Sequence, residues 1–586
     1  MVGSDEPIGA ERPLAPPEAP VIGWGSDAIA EILRRLELPF ISLNPGASYR
    51  GLHDSLVNYS GNRAPEIVLC LHEEHAVALA HGYAKVTGRP MAVALHSNVG
   101  LMHATMALFN AFCDRVPMVV LGATGPLDAS RRRPWIDWIH TAADQASLIR
   151  DYVRWDDQPG SIPAAIESIV RADQLTRGYP SAPTYVCLDS ALQEAPLEAP
   201  PPFPEPGRHR PPRLPGPQPR EVLEIATMLA RSQTPLLAVG RVGRDDASWA
   251  ARVELAERLQ CAVITDLRVG AGFPSEHPLH PVAPGTFLPA AAASLLREAD
   301  LVLALDWVDL GGTLAQAYRE SPVGARVIAV GNDSALHNGW SKDHFALAPV
   351  DLALAAHPDP TVNALLGALE RRAATPGWPP PRAAEPSPVA GERLTVSDLA
   401  RALRGAIGPR PACLVRVPLG WSGEDWPVAG PLDYLGQDGG AGLGSGPGMA
   451  VGAALALRGS GRLAVAVLGD GDLLMGATAL WTAARYRLPL LVVVANNGTY
   501  LNDEIHQERI ARARARPVEN RWVGQRIADP DPDLAALAVS LGLRGIGPIA
   551  SSTELDGALA TAVAAVLEGE AVLVDVRVSA NPKENG

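Results

Sequence analysis

The chain alternates short, unbroken apolar runs with longer stretches of helical periodicity. Met91–Leu95 and Met118–Gly122 are such runs in the first third, with a helical stretch between them. Pro235–Gly240, Cys261–Thr265, Leu301–Leu305 and Val327–Val330 repeat the pattern in the middle, and Leu463–Leu468, Leu490–Ala495 and Ala571–Val576 in the last third. A strand with one wet face alternates apolar and polar residues, whereas a strand covered on both faces is apolar throughout. These runs therefore predict parallel strands flanked by helices.

Two proline-rich stretches interrupt the pattern. Pro196–Pro219 holds eleven prolines in 24 residues, and a second cluster spans Pro376–Pro388. Proline removes a backbone donor and disfavours helix before it, so both read as stiff, extended connectors. The expected architecture is α/β: three consecutive parallel-sheet domains at 1–195, 220–375 and 391–586, joined by linkers at 196–219 and 376–390. Each piece has an ordinary domain size, and there is no short-period repeat of the kind that builds a solenoid.

Composition narrows the function classes. The net charge of -14 lacks the basic surface that wide nucleic-acid contact needs, so no nucleic-acid partner is expected. No apolar run approaches the roughly 20 residues that span a bilayer. Met1–Pro20 is acidic and proline-rich rather than signal-like. The reading is a cytoplasmic protein with no membrane partner. Cys70, Cys113, Cys187, Cys261 and Cys413 lie far apart in apolar segments and read as buried free thiols.

The informative chemistry sits at strand ends. The run from Leu463 ends in Gly469-Asp470-Gly471, and the run from Leu490 ends in Asn496-Asn497-Gly498-Thr499-Tyr500. Open parallel sheets bind ligands beyond the carboxyl ends of their strands, and glycine lets backbone approach a phosphate closely. The Asp470 carboxylate and the Asn497 amide offer the hard oxygens that suit magnesium, which bridges protein and phosphate. A lone Gly-Asp-Gly is an ordinary turn. The pair is specific, with 27 residues from Asp470 to Asn497 and strand–helix–strand between them.

These motifs resemble those of the thiamine diphosphate family that includes pyruvate decarboxylase, acetolactate synthase and benzoylformate decarboxylase. The resemblance implies thiamine diphosphate and Mg2+ as cofactors, the metal held by Asp470, the Asn497 side chain and the Thr499 carbonyl. Gly469, Gly471, Asp472 and Tyr500 fall in the same cofactor-binding stretches, and Gly46 and Met449 at further cofactor positions. The segment Leu69–Gly88 resembles the family's glutamate helix, and counting back nine residues from Gly82 selects Glu73 over Glu74. By resemblance, Glu73 hydrogen-bonds the aminopyrimidine ring, and so drives the activation of the cofactor. The glycine-rich Gly439–Gly448 should carry an apolar side chain that supports the cofactor's bend. Alignment through Gly448-Met449 puts Ser445 there, with Leu443 close by, and both stay open.

In that family the glutamate domain of one subunit faces the diphosphate domain of another. The resemblance thus implies a homodimer or homotetramer with its active site at the subunit interface. FAD, which some members bind in the central domain, is not expected. Gly240-Arg241-Val242-Gly243 reads as a plain strand–helix turn.

On the substrate side, Leu95-His96-Ser97 and Ala479–Tyr486 resemble benzoylformate decarboxylase, which makes His96 a proton donor and acceptor. Ser97-Asn98-Val99-Gly100 stands where acetolactate synthases carry Ser-Gly-Pro-Gly, and counts against that enzyme. The loop Leu43–Ser48 puts the family's catalytic serine position on Ala47. Either the loop is shifted and Ser48 serves, or the hydroxyl role is absent. Asp503, six residues after Asn497, falls where pyruvate decarboxylases place an acid and opens a polar stretch to Glu508. His72, His75 and His103 read as neighbours or core histidines. The expected function is decarboxylation or carboligation of a small 2-oxo acid or ketone. An acetolactate synthase-like transferase, a hydrolytic carbon–carbon lyase of a cyclic dione and a non-catalytic cofactor-binding protein are the alternatives.

Overall fold

Three all-parallel sheets lie in succession along the described chain. The computed structural model describes residues 8–9, 11–14, 20–332, 347–382 and 393–580. Residues 383–390 of the second expected linker lie outside them.

The first sheet takes β1 (Phe40–Leu43), β2 (Glu66–Leu69), β3 (Ala92–Leu95), β4 (Met118–Thr124), β5 (Trp155–Asp157) and β6 (Pro183–Asp189), in the order β2-β1-β3-β4-β6-β5. The second takes β7 (Pro235–Val239), β8 (Ala262–Thr265), β9 (Leu301–Leu305), β10 (Arg326–Val330) and β11 (Leu352–Leu354), in the order β11-β10-β9-β7-β8. The third takes β12 (Ala412–Arg416), β13 (Leu463–Gly469), β14 (Leu490–Asn496), β15 (Arg544–Ile549) and β16 (Ala571–Arg577), in the order β12-β13-β14-β16-β15. The central strands β3, β4, β6, β7 and β14 are buried at every residue, which is why their sequences show no polar alternation. The expected three parallel-sheet α/β domains are what the chain forms.

Strand order decides where side chains can converge. In the first sheet the order reverses between β1 and β3, so the loops after these two strands part and leave a crevice. In the third sheet β13 and β14 are neighbours, with Gly469 opposite Ala495. Asp470 and Asn497 therefore leave adjacent strand ends side by side.

One helix crossing joins the first and third sheets. The Glu73–Thr87 helix packs on the Ser445–Leu457 helix, all thirteen residues of which are buried. A Cβ added at Gly82 would lie 2.0 Å from the Met449 carbonyl oxygen, and one at Gly452 would lie 1.9 Å from the Leu79 carbonyl oxygen. Only glycine lets the two backbones touch in this way. Residues around the crossing form a single apolar core with both sheets. In the middle sheet, Gly240 packs on the Asp306 backbone and the Gly243 N–H donates to Asp359 Oδ2 at 3.0 Å. A carboxylate thus caps the turn. Among the described residues no helix is long and apolar enough to cross a membrane, and the five cysteines are unpaired.

Candidate active site

The crevice of the first sheet holds a serine–histidine pair. Ser48 follows β1 and His96 follows β3, and the Ser48 hydroxyl lies 2.9 Å from His96 Nδ1. The same hydroxyl oxygen accepts from the Ser97 N–H at 3.0 Å, so its own proton is directed to Nδ1. His96 in its neutral form then carries its proton on Nε2. Ser48 is buried while Ala47 is exposed, so the residue one place beyond the family position is the one that meets His96. Gly46 makes the contact geometrically feasible, because a Cβ there would lie 2.3 Å from His96 Cβ. Ser97 has a φ of 40°, a left-handed backbone that a non-glycine residue adopts at a cost and that recurs at functional sites.

A second imidazole, which the sequence did not single out, stands against the first. The His140 ring lies 4.8 Å from His96, edge to face. Its loop is tied down by Asn98 Nδ2 donating to the Ile139 carbonyl at 3.0 Å and the Gly125 N–H donating to the His140 carbonyl at 3.1 Å. Burial, and then the neighbouring His140, push His96 below the ordinary histidine range.

Glu73 opens the next helix and is buried. His72 caps that helix, its Nδ1 accepting from the Glu74 N–H at 3.2 Å. Glu73 Oε2 meets His103 Nδ1 at 3.0 Å, and Tyr49 is raised above its ordinary value by burial and by Glu73. Glu74 turns the other way, towards the glycine-rich segment. Burial and Asp472 raise it, and the Ser445 hydroxyl pulls it back.

That segment separates the two candidates for the cofactor's bend. Ser445 is fully buried and its hydroxyl accepts from Asn110 Nδ2 at 2.9 Å, so it is committed to holding the two domains together. Leu443 is half-buried in the turn before the helix. Met449 is spent on the glycine crossing described above. Asp472 accepts from the Gly444 N–H at 2.7 Å and lies 3.5 Å from Arg416 Nε, so it braces the turn.

At the third sheet, Asp470 Oδ1 accepts from the Gly471 N–H at 3.1 Å and Oδ2 from the Gly498 N–H at 2.8 Å. Burial raises its carboxyl to about 6. Its partners in the described structure are backbone donors, with no lysine or arginine among them. A desolvated carboxylate of this kind fits a hard divalent cation, and Asn497, whose Oδ1 accepts from the Thr499 N–H at 3.1 Å, follows the adjacent strand. A Cβ at Gly469 would meet nothing within 4 Å, which leaves backbone open to a phosphate. Gly471 accommodates the Tyr500 ring, which an added Cβ would meet at 2.6 Å.

The loop after β14 is braced by residues that sequence reasoning missed. The Thr499 hydroxyl donates to Glu504 Oε1 at 2.6 Å, and Arg521 Nε lies 3.2 Å from Glu504 Oε2. Asn496 Nδ2 donates to Asp575 Oδ1 at 2.8 Å on the neighbouring strand. Asp503 and His506 are exposed, whereas Glu504 is buried. The contact of Asp503 with another candidate is its backbone N–H, which donates to the Tyr500 carbonyl at 3.0 Å. Glu504 shares its buried face with Ala511, seven residues on, a helical spacing that could have found it.

Comparison with known proteins follows the same division. Sequence profiles of thiamine pyrophosphate enzymes match residues 23–148 as the N-terminal TPP binding domain, 222–365 as the central domain and 419–576 as the C-terminal TPP binding domain. Together they cover well over half of the chain, and the chain belongs to the thiamine pyrophosphate enzyme family. Within it the chain is of the decarboxylase and acetolactate synthase type. It is 29% identical to a benzoylformate decarboxylase of Pseudomonas aeruginosa, over 91% of this chain and 96% of that one. It is 24% identical to an acetolactate synthase large subunit of Escherichia coli, over 81% of each. The fold is shared with a thiamine diphosphate-dependent 4-hydroxybenzoylformate decarboxylase of Rhodococcus jostii, at a TM-score of 0.75 and 24% identity over 95% of this chain and 99% of that one.

Proposed function

We propose that this chain is a magnesium- and thiamine diphosphate-dependent 2-oxo acid decarboxylase acting on an aryl-substituted substrate such as benzoylformate. The observation that carries the reading is the Ser48–His96 hydrogen bond in the first-sheet crevice, at 2.9 Å. A hydroxyl–imidazole pair at strand ends supports proton handling of the kind that decarboxylation of a 2-oxo acid needs. The 29% identity to a benzoylformate decarboxylase over nearly the whole chain supports the same substrate class.

The residues divide the work. Asp470 and Asn497 would hold Mg2+, with the Thr499 carbonyl completing the protein's share. Thr499 keeps its hydroxyl on Glu504, and that bond fixes the loop. Glu73, buried at the start of its helix, would hydrogen-bond the cofactor's aminopyrimidine ring, and Leu443 rather than Ser445 would support the bend. The cofactor, when bound, supplies the carbon nucleophile and electron sink that decarboxylation requires. His96, neutral and protonated on Nε2, would offer that N–H to the substrate side, held in this tautomer by the Ser48 hydroxyl on Nδ1. By its resemblance to the family, in which the glutamate domain of one subunit faces the diphosphate domain of another, we read the catalytic assembly as one shared between two copies.

An acetolactate synthase-like transferase is the second reading, favoured by the relatives that carry that name. Product analysis with thiamine diphosphate and magnesium decides. Benzaldehyde and carbon dioxide from benzoylformate fit the proposal, 2-acetolactate from pyruvate fits the transferase, and neither product from any 2-oxo acid overturns both.

A further inference from the structure

Glu73 and His103 form a pair with opposite surroundings. The Glu73 side chain is 8% exposed and that of His103, on the Ser97–Cys113 helix, 50% exposed. His103 Nδ1 contacts Oε2 at 3.0 Å. The other oxygen, Oε1, lies beside Gly100, where an added Cβ would come within 3.1 Å of it. The His72 ring stacks on His103 with centroids 4.8 Å apart and planes at 23°. Tyr49 and His96 also feel this carboxylate.

His72, Glu73 and His103 have the residue types of a metal site, with donor atoms within 4.8 Å of one another. Their hydrogen bonds argue for a different role. His72 Nδ1 spends its lone pair on the Glu74 N–H, so neutral His72 carries its proton on Nε2 and has no lone pair left to offer a cation. Its ring also lies face to face with His103 rather than aimed at a shared centre.

We infer that His103 is a positioning residue for Glu73: its Nδ1–H fixes Oε2, which leaves Oε1 as the oxygen presented to the cofactor. A carboxylate on a glutamate stem has two equivalent oxygens and a soft terminal torsion, and a donor held rigidly removes that freedom. Here the rigidity is passed along the chain. The helix cap fixes His72, the stack holds the His103 ring, and the ring holds the carboxylate. Hydrogen bonds to an ionised acceptor are among the stronger ones in proteins, enough for such a role.

The inference rests on the reading of Glu73 as the activating glutamate, and its test separates the two. Asparagine places Nδ2 where histidine has Nδ1, so His103→Asn keeps a donor, while His103→Leu fills similar space without one. Each variant, with Glu73→Gln alongside, is assayed for thiamine diphosphate affinity by fluorescence titration with magnesium. The second readout is deuterium exchange of the bound cofactor's thiazolium proton, by acid quench and NMR. His103→Leu should slow exchange by about tenfold or more, and His103→Asn should stay within about threefold of wild type, with affinity unchanged in both. Wild-type exchange in His103→Leu, or equally slow exchange in both variants, overturns the positioning role. Fast exchange in Glu73→Gln overturns the underlying reading of Glu73.

Discussion

Ser48 and His96 meet across the first-sheet crevice, hydroxyl to Nδ1 at 2.9 Å, and the bond fixes which imidazole nitrogen carries the proton. Ser48→Ala releases Nδ1 and lets the other tautomer form. The loss of one such bond predicts a fall in kcat/KM of about five- to tenfold with the fold intact. Steady-state kinetics alongside circular dichroism check it, and unchanged kinetics would remove Ser48 from the site.

The acid limb of the pH profile should report His96. Burial first, and then His140, disfavour its charged form, so the His96 pKa lies below the ordinary histidine value and the neutral form persists further into acid. His140→Ala removes one of these causes, so the His96 pKa rises. The acid limb of kcat/KM should therefore move to higher pH, by up to about one unit. A limb that stays in place, or moves to lower pH, contradicts the assignment of His96.

Glu504 braces the loop after β14 from behind. It anchors the Thr499 hydroxyl and binds Arg521, yet touches neither Asp470 nor Asn497 in the described contacts. Residues that orient ligands typically matter ten- to a hundredfold in metal affinity, so Glu504→Ala should raise the magnesium half-saturation by about tenfold or more. Titrating magnesium into chelator-stripped protein with saturating cofactor measures this. Asp503→Ala, at an exposed position, should change it little.

The glycine crossing is a stability element. Gly82→Ala puts a Cβ 2.0 Å from the Met449 carbonyl oxygen, and the two helices must separate to accept it. The expected loss is about 3 kcal/mol or more. Gly367→Ala is the control, since its added Cβ meets nothing within 4 Å on an ordinary helix, where alanine is preferred. Thermal unfolding compares the two variants, and equal melting temperatures would contradict the crossing.

What could be read from the sequence follows from physics that acts over short range. Unbroken apolar runs such as Leu490–Ala495 gave parallel strands directly, because a doubly covered strand is predominantly apolar. The same logic located Asp470 and Asn497, which lie immediately past strand ends. Side-chain direction was harder. Asp503 and Glu504 are adjacent, and only the helix face decides that Glu504 turns inward. Ser445 and Leu443 are both compatible with the glycine-rich turn until Asn110, more than 300 residues earlier in the chain, claims the Ser445 hydroxyl. His103 reads as a helix neighbour in sequence because its partner Glu73 lies on a different helix. His140 sits on a loop whose path no periodicity reports.

The most direct test of the account is carbon dioxide release from benzoylformate by wild type and Glu73→Gln, each saturated with thiamine diphosphate and magnesium. Steady release is expected from the wild type, with a loss of at least about a hundredfold in Glu73→Gln, in the range for a removed proton-transfer group. Equal release by both proteins would contradict it, as would no release by wild type that binds the cofactor.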